Sequence, residues 1–146
     1  MHSEIHDGEY VSADHIEAAW ERGRGVAIRA DCAMGKSTAI REVLRRLGNP
    51  PTLSVACRIV HSHDMASQYR LDHYQSGEQS AMISTTINSL GKCGYWHQDH
   101  AGDGVLALDE LRSILPVFNT PTCKDDGCVA LLDRLMKTVR WIACDA

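Results

Sequence analysis

Val26-Ala27-Ile28-Arg29-Ala30-Asp31-Cys32-Ala33-Met34-Gly35-Lys36-Ser37-Thr38 decides how this chain is read. A short apolar strand, a tight turn and a helix opening at a lysine follow one another in the order that a phosphate-binding loop demands. The backbone N–H groups at such a helix start cradle phosphate oxygens. Lys36 is then expected against the β- and γ-phosphates, and the Ser37 hydroxyl as one oxygen ligand of an octahedral Mg²⁺. The loop departs from G-x-x-x-x-G-K-[ST], because Ala30 stands where the first glycine belongs and Ala33 is a second non-glycine in the turn. Gly35, beside the lysine, is kept.

Working outward, Val105-Leu106-Ala107-Leu108-Asp109-Glu110 lies about seventy residues downstream. Four apolar residues read as a buried strand that delivers two carboxylates at its carboxyl end. Asp109 suits Mg²⁺, and Glu110 suits the polarisation of an attacking water. The two halves together predict a nucleoside-triphosphatase site for ATP with Mg²⁺, whereas either half alone recurs by chance.

Between and around these halves the chain alternates strand and helix. Ser12 caps a short helix through Trp20, and residues 1–25 read as an N-terminal extension ahead of a lobe spanning 26–146. Ala39, Ile40, Val43, Leu44 and Leu47 keep helical spacing until Gly48-Asn49-Pro50-Pro51 stops them. Leu53–Cys57, Ala81–Thr85 and Val139–Cys144 read as further strands, and Ser62–Tyr69 as a surface helix with Met65 and Tyr69 inward. Gly91–Gly104 reads as a loop, Leu111–Leu115 as a short helix closed by Pro116, and Asn119-Thr120-Pro121 as the start of a loop. Cys128–Lys137 reads as a helix with Val129, Leu132, Leu135 and Met136 inward. Five strands joined by helices predict an α/β fold: a mainly parallel sheet covered on both faces, with ligands beyond the carboxyl ends of the strands. Arg58, Thr85, Thr86 and Asp145 fall at those ends and are expected in one crevice.

The 146 residues, 44% apolar and 23% charged, suit one globular core. A formal charge of −4 excludes nucleic-acid binding by bulk basicity, so any DNA contact has to come from a local patch. No apolar run reaches the length of a membrane span and the first residues lack a signal peptide's pattern, so an intracellular protein is expected. Six cysteines form no C-x-x-C pair. The one metal candidate, Cys93, His97 and His100 with Cys123 or Cys128, matches no common zinc spacing, and reduced thiols are the expectation.

The run from Val26 to Ala146 resembles the first motor lobe of superfamily 2 helicases, most closely that of herpesvirus-type replication origin-binding proteins. The resemblance rests on Arg29–Ala39, on Ser54-Val55-Ala56-Cys57-Arg58, on Leu108-Asp109-Glu110-Leu111-Arg112-Ser113-Ile114-Leu115, and on Ile142-Ala143-Cys144-Asp145-Ala146, four motifs in order over about four-fifths of the chain. It implies a RecA-like ATP-binding lobe in which alanine at Ala30 is usual. Ala30, Asp31, Cys32, Ala33, Met34, Gly35, Lys36, Ser37 and Thr38 would hold the nucleotide, Ser37 and Asp109 the Mg²⁺, and Glu110 would be the base. Arg58, Thr86 and Ser89 lie near motifs that touch the DNA sugar-phosphate backbone in relatives. Arg112 and Ser113 either relay phosphate state or form a solvated helix face. Of the three tryptophans, Trp96 in its loop is the one candidate for base stacking.

Such motors hydrolyse ATP between two lobes, the second supplying arginines. The sequence stops inside the fourth motif with no second lobe, so an incomplete chain is expected. Two other classes share the loop: a small-molecule kinase, which the Asp109-Glu110 pair disfavours because it suits water as acceptor, and a nucleotide-binding module without turnover.

Overall fold

Helices and 3₁₀ turns join the parallel strands of this chain, and the strand order follows from where those connections cross. The computed structural model describes residues 2–5 (by backbone), 11–30, 35–114, 116 and 127–145. The expected positions of Asp31, Cys32, Ala33, Met34, Leu115, Asn119, Thr120, Pro121, Cys123 and Ala146 lie outside them. The elements are β1 (His2–Ile5), α1 (Ala13–Arg22), β2 (Gly25–Arg29), α2 (Lys36–Arg46), β3 (Thr52–Ala56), α3 (Ile59–Tyr69), β4 (Asp72–His73), β5 (Met82–Thr86), α4 (Gly94–His100), β6 (Val105–Leu108), α5 (Leu111–Ile114), α6 (Cys128–Thr138) and β7 (Arg140–Asp145), with 3₁₀ turns at Tyr74–Ser76 and Ile87–Cys93.

All seven strands are parallel, in the order β1-β2-β7-β6-β3-β5-β4. Right-handed crossovers place α1, α2 and α3 on one face, because those connections run from β1 towards β4, and the 3₁₀ turn, α4, α5 and α6 on the other, because those connections run back. The cores agree. Ile16, Ile40, Val43 and Leu44 cluster on one side with Val26 and Ile28, while Ile87, Leu90, Trp96, Leu131, Leu132 and Leu135 cluster on the other with Leu53, Leu106 and Leu108. The fold is therefore α/β, a parallel sheet between two helical layers.

Four expectations change. The described part of the expected N-terminal extension is built into the lobe: β1 pairs with β2, and α1, capped by Ser12, lies on α2, with Arg46 bridging Asp14 at 2.7 Å and Glu17 at 3.1 Å. The sheet has seven strands rather than five, because β1 and the two-residue β4 were too short or too polar to announce themselves. Gly91–Gly104 is not a loop, since Ile87, Leu90, Cys93 and Trp96 bury one face of a 3₁₀-then-α segment. On α6, Val129 points outward, 38% exposed, Met136 is only partly buried, and Leu131 takes an inward place.

Trp96 is wholly buried, and its indole Nε1–H donates to the Ala81 carbonyl at 2.8 Å, so it offers no face for a base. Gly104 makes that burial possible: a Cβ there would lie 2.5 Å from the ring. No helix among the described residues is long and apolar enough to cross a membrane.

Candidate functional site

β2 and β6, the strands that carry the two halves of the expected site, are separated by one strand, β7. Two inter-strand spacings of about 4.8 Å hold their carboxyl ends about 10 Å apart, room for a phosphate and a cation between them. The direction of travel also reverses here: the chain leaves β3 towards β5 and leaves β6 towards β7, opening a crevice at the carboxyl edge, where parallel sheets bind ligands.

Gly35 stands at the head of α2 with φ 82°, the left-handed region that glycine occupies without steric cost, and its carbonyl accepts from Ala39 N–H at 2.9 Å. Lys36 and Ser37 open the helix. The Lys36 ammonium donates to the Ala30 carbonyl at 2.7 Å and to the Asp145 carbonyl at 3.3 Å, so it rests across the ends of β2 and β7. Asp145 also accepts, through its carboxylate, from Arg112 Nε at 2.9 Å. Arg112, on α5 just past the acidic pair, is thereby tied to the strand end on which the lysine rests. Thr38 is exposed on α2, and Ala30 is fully buried at the end of β2.

Asp109 follows β6 directly and donates its backbone N–H to Val55 O at 3.0 Å. Its carboxyl pKa is raised by burial first and by the neighbouring Glu110 charge second, while His61 and Lys36 pull it down. A half-buried carboxylate with a second acid beside it is a place that favours a cation. Glu110 is exposed and has φ 51°, a left-handed conformation that costs a side-chain-bearing residue about 1–3 kcal/mol. Its carbonyl starts α5 by accepting from Ser113 and Ile114.

Three residues join the site that sequence motifs did not place there. Tyr69, partly buried against both α2-side clusters, comes beside Ser37; burial drives its phenol well above the ordinary range, so it stays protonated. Cys144, buried beside Asp109 and Lys36, has its thiol pushed up to about 12, chiefly by desolvation, and is likewise neutral. His61, in the first turn of α3, reaches to 3.5 Å from Glu110 Oε2 through Nδ1. Tyr69 and His61 both lie on α3, and only the crossover of that helix brings them to α2 and β6.

The expected DNA contacts divide. Arg58 is exposed at the head of α3, beside the crevice, and Ser89 is half-buried in the 3₁₀ turn. Thr86 is 4% exposed and Thr85 fully buried, so neither hydroxyl is presented to solvent, and the single crevice expected to collect Arg58, Thr85, Thr86 and Asp145 does not collect the two threonines. Cys93 and Cys128 are buried in the core, and among the described residues no group of three or more His, Cys, Asp or Glu side chains could hold a metal ion. Neither protein-family models nor curated proteins give a match to this chain.

Proposed function

We propose that this chain is the ATP-binding first lobe of a DNA helicase of the origin-binding type, hydrolysing ATP with Mg²⁺ in a cleft shared with a second lobe. The observation that carries the reading is the convergence of Lys36, Ser37 and Asp109 on one carboxyl edge, close enough for the ammonium to act on the pKa of Asp109. The donor set fits the cation: a hydroxyl and a carboxylate are hard oxygens, and a carboxylate crowded by burial and a second acid gains from a positive charge.

Ser37 and Asp109 would hold the Mg²⁺, which neutralises phosphate charge when bound. The N–H groups at the head of α2 and the Lys36 ammonium bind the phosphates. To do so the Lys36 side chain exchanges the Ala30 and Asp145 carbonyls for phosphate oxygens. Glu110, exposed at the rim, takes a proton from the attacking water. Arg58 and Ser89 line the route by which a DNA backbone would reach the crevice, contacting phosphates without reading sequence. Arg112 links Asp145 to α5 and so carries the state of the phosphate site to the helix behind the acidic pair.

Lys36→Ala tests the assignment. Titration with fluorescent ATP and Mg²⁺ is expected to show binding in the parent chain and none in the variant, with unchanged circular dichroism. Equal affinity in both would remove the phosphate site. Joined to a second lobe of a related motor, the parent chain is expected to hydrolyse ATP faster with single-stranded DNA present, an increase that Arg58→Ala reduces. DNA-independent hydrolysis in that fusion would remove the motor reading and leave the ATP site standing.

A further inference from the structure

We infer that His61 is the positioning residue for Glu110, its Nδ1–H aimed at Oε2 so that the carboxylate faces the crevice. The inference rests on the proposed role of Glu110 as base, and geometry carries it. His61 Nδ1 is buried and has no hydrogen-bond partner, yet the nearest acidic oxygen, Glu110 Oε2, is 3.5 Å away. That separation is slightly long for a hydrogen bond, as contacts in ligand-free catalytic sites often are before they tighten.

Chemistry fixes the tautomer. A carboxylate only accepts, so the ring nitrogen turned towards it must carry hydrogen, and Nε2 is left as the acceptor in the neutral ring. Glu110 needs such a partner. Its side chain is about half exposed, its backbone is held at φ 51°, and long acidic side chains at a rim sample several rotamers. Asp109 is held by its own backbone N–H bond to Val55 O and by burial, so the histidine has its effect on the freer of the two acids. Arg58 immediately precedes α3, so the side chain that would meet a DNA phosphate stands at the head of the helix that carries His61.

The test uses the 146-residue chain. In His61→Ala, single-turnover ATP hydrolysis is expected to fall about 10- to 100-fold, the scale of a misplaced reacting group, with ATP affinity and melting temperature unchanged. His61→Asn, whose Nδ2–H can occupy the place of Nδ1–H, is expected to recover most of the rate, which a space-filling role for the ring does not explain. Independently of turnover, ¹⁵N-histidine spectra of the nucleotide-free chain should show His61, identified by its loss in His61→Asn, protonated at Nδ1 and shifted by Glu110→Gln. An unprotonated Nδ1 whose resonance ignores Glu110→Gln overturns the inference, as does a full hydrolysis rate in His61→Ala. If the parent chain binds ATP and hydrolyses none without a second lobe, the rate comparison moves to the two-lobe fusion, and the spectra of the lone chain decide the His61–Glu110 contact.

Discussion

Asp109 illustrates how a single position trades stability for binding. Its pKa is raised in the folded chain above the ordinary 3.8, so between that value and the raised one the native state holds more protons than the unfolded state. Its contribution is thus most favourable below pH 3.8 and is lost as pH rises through the folded pKa. Asp109→Asn removes the desolvated charge, and thermal melts at pH 7 without nucleotide are expected to show a modest rise in melting temperature. The same variant is expected to weaken Mg²⁺-dependent ATP binding. Glu110→Gln should leave that binding intact and abolish turnover, because only the water-activating step needs the base; matching losses of binding in the two variants would make Glu110 a cation ligand instead. Asp109 and Glu110 were legible in the sequence because they directly follow the apolar run of β6, and Lys36 and Ser37 because they open, after Gly35, the helix that comes next along the chain from β2. Tyr69 and His61 were not, since their approach depends on how α3 lies over the sheet, which no local spacing encodes. The strain at Glu110 is equally silent in the sequence, where a glutamate gives no sign of a left-handed backbone.

At the level of elements, the segment from Ile87 to His100 shows where pattern reading failed. Gly91, Gly94 and Gly102 argued for a loop, but Ile87, Leu90, Cys93 and Trp96 recur every third residue, the period of a 3₁₀ helix. Templates of 3.6 and 2 residues pass over that stripe. Trp96 is its largest member, and Trp96→Ala is expected to destabilise the fold by about 3–5 kcal/mol in urea titrations. A loss below about 1 kcal/mol would mean that the ring contributes little to the core. α3 ends on Arg70 at φ 56°, with Leu71 N–H closing on Ala66 O at 2.8 Å, the geometry that glycine favours after a helix. Arg70→Gly is expected to raise stability by about 1 kcal/mol, measured in the same titration. By contrast, α2 was read almost to its ends, because four buried residues at helical spacing lie between a glycine head and a Gly-Asn-Pro-Pro stop.

For the whole molecule, the alternation of strands and helices foretold a parallel sheet with two covered faces, and the strand order was beyond it. Adjacency depends on which crossovers skip over which strands, and the sequence shows only that crossovers exist. Hydroxyls at inner positions are accounted for by the same order: Ser54 donates to Ser84 at 2.8 Å, and Ser84 to the Ser62 carbonyl at 2.7 Å, joining β3, β5 and α3. The placement of β7 has a kinetic corollary. Without it the strands form two half-sheets, β1-β2 and β6-β3-β5-β4, that share no ladder, and β7 follows the other six described strands in the sequence. The lysine and the acidic pair therefore belong to separate halves until β7, made after both, enters the slot between them instead of zipping onto a free edge. Such closure gathers partners more than a hundred residues apart, as Gly25 with Trp141, and long-range pairing of this kind is slow. Stopped-flow refolding should accordingly show the tryptophan signal of Trp96 settling before that of Trp141, followed separately in single-tryptophan chains, and ATP binding should return only with the slower of the two.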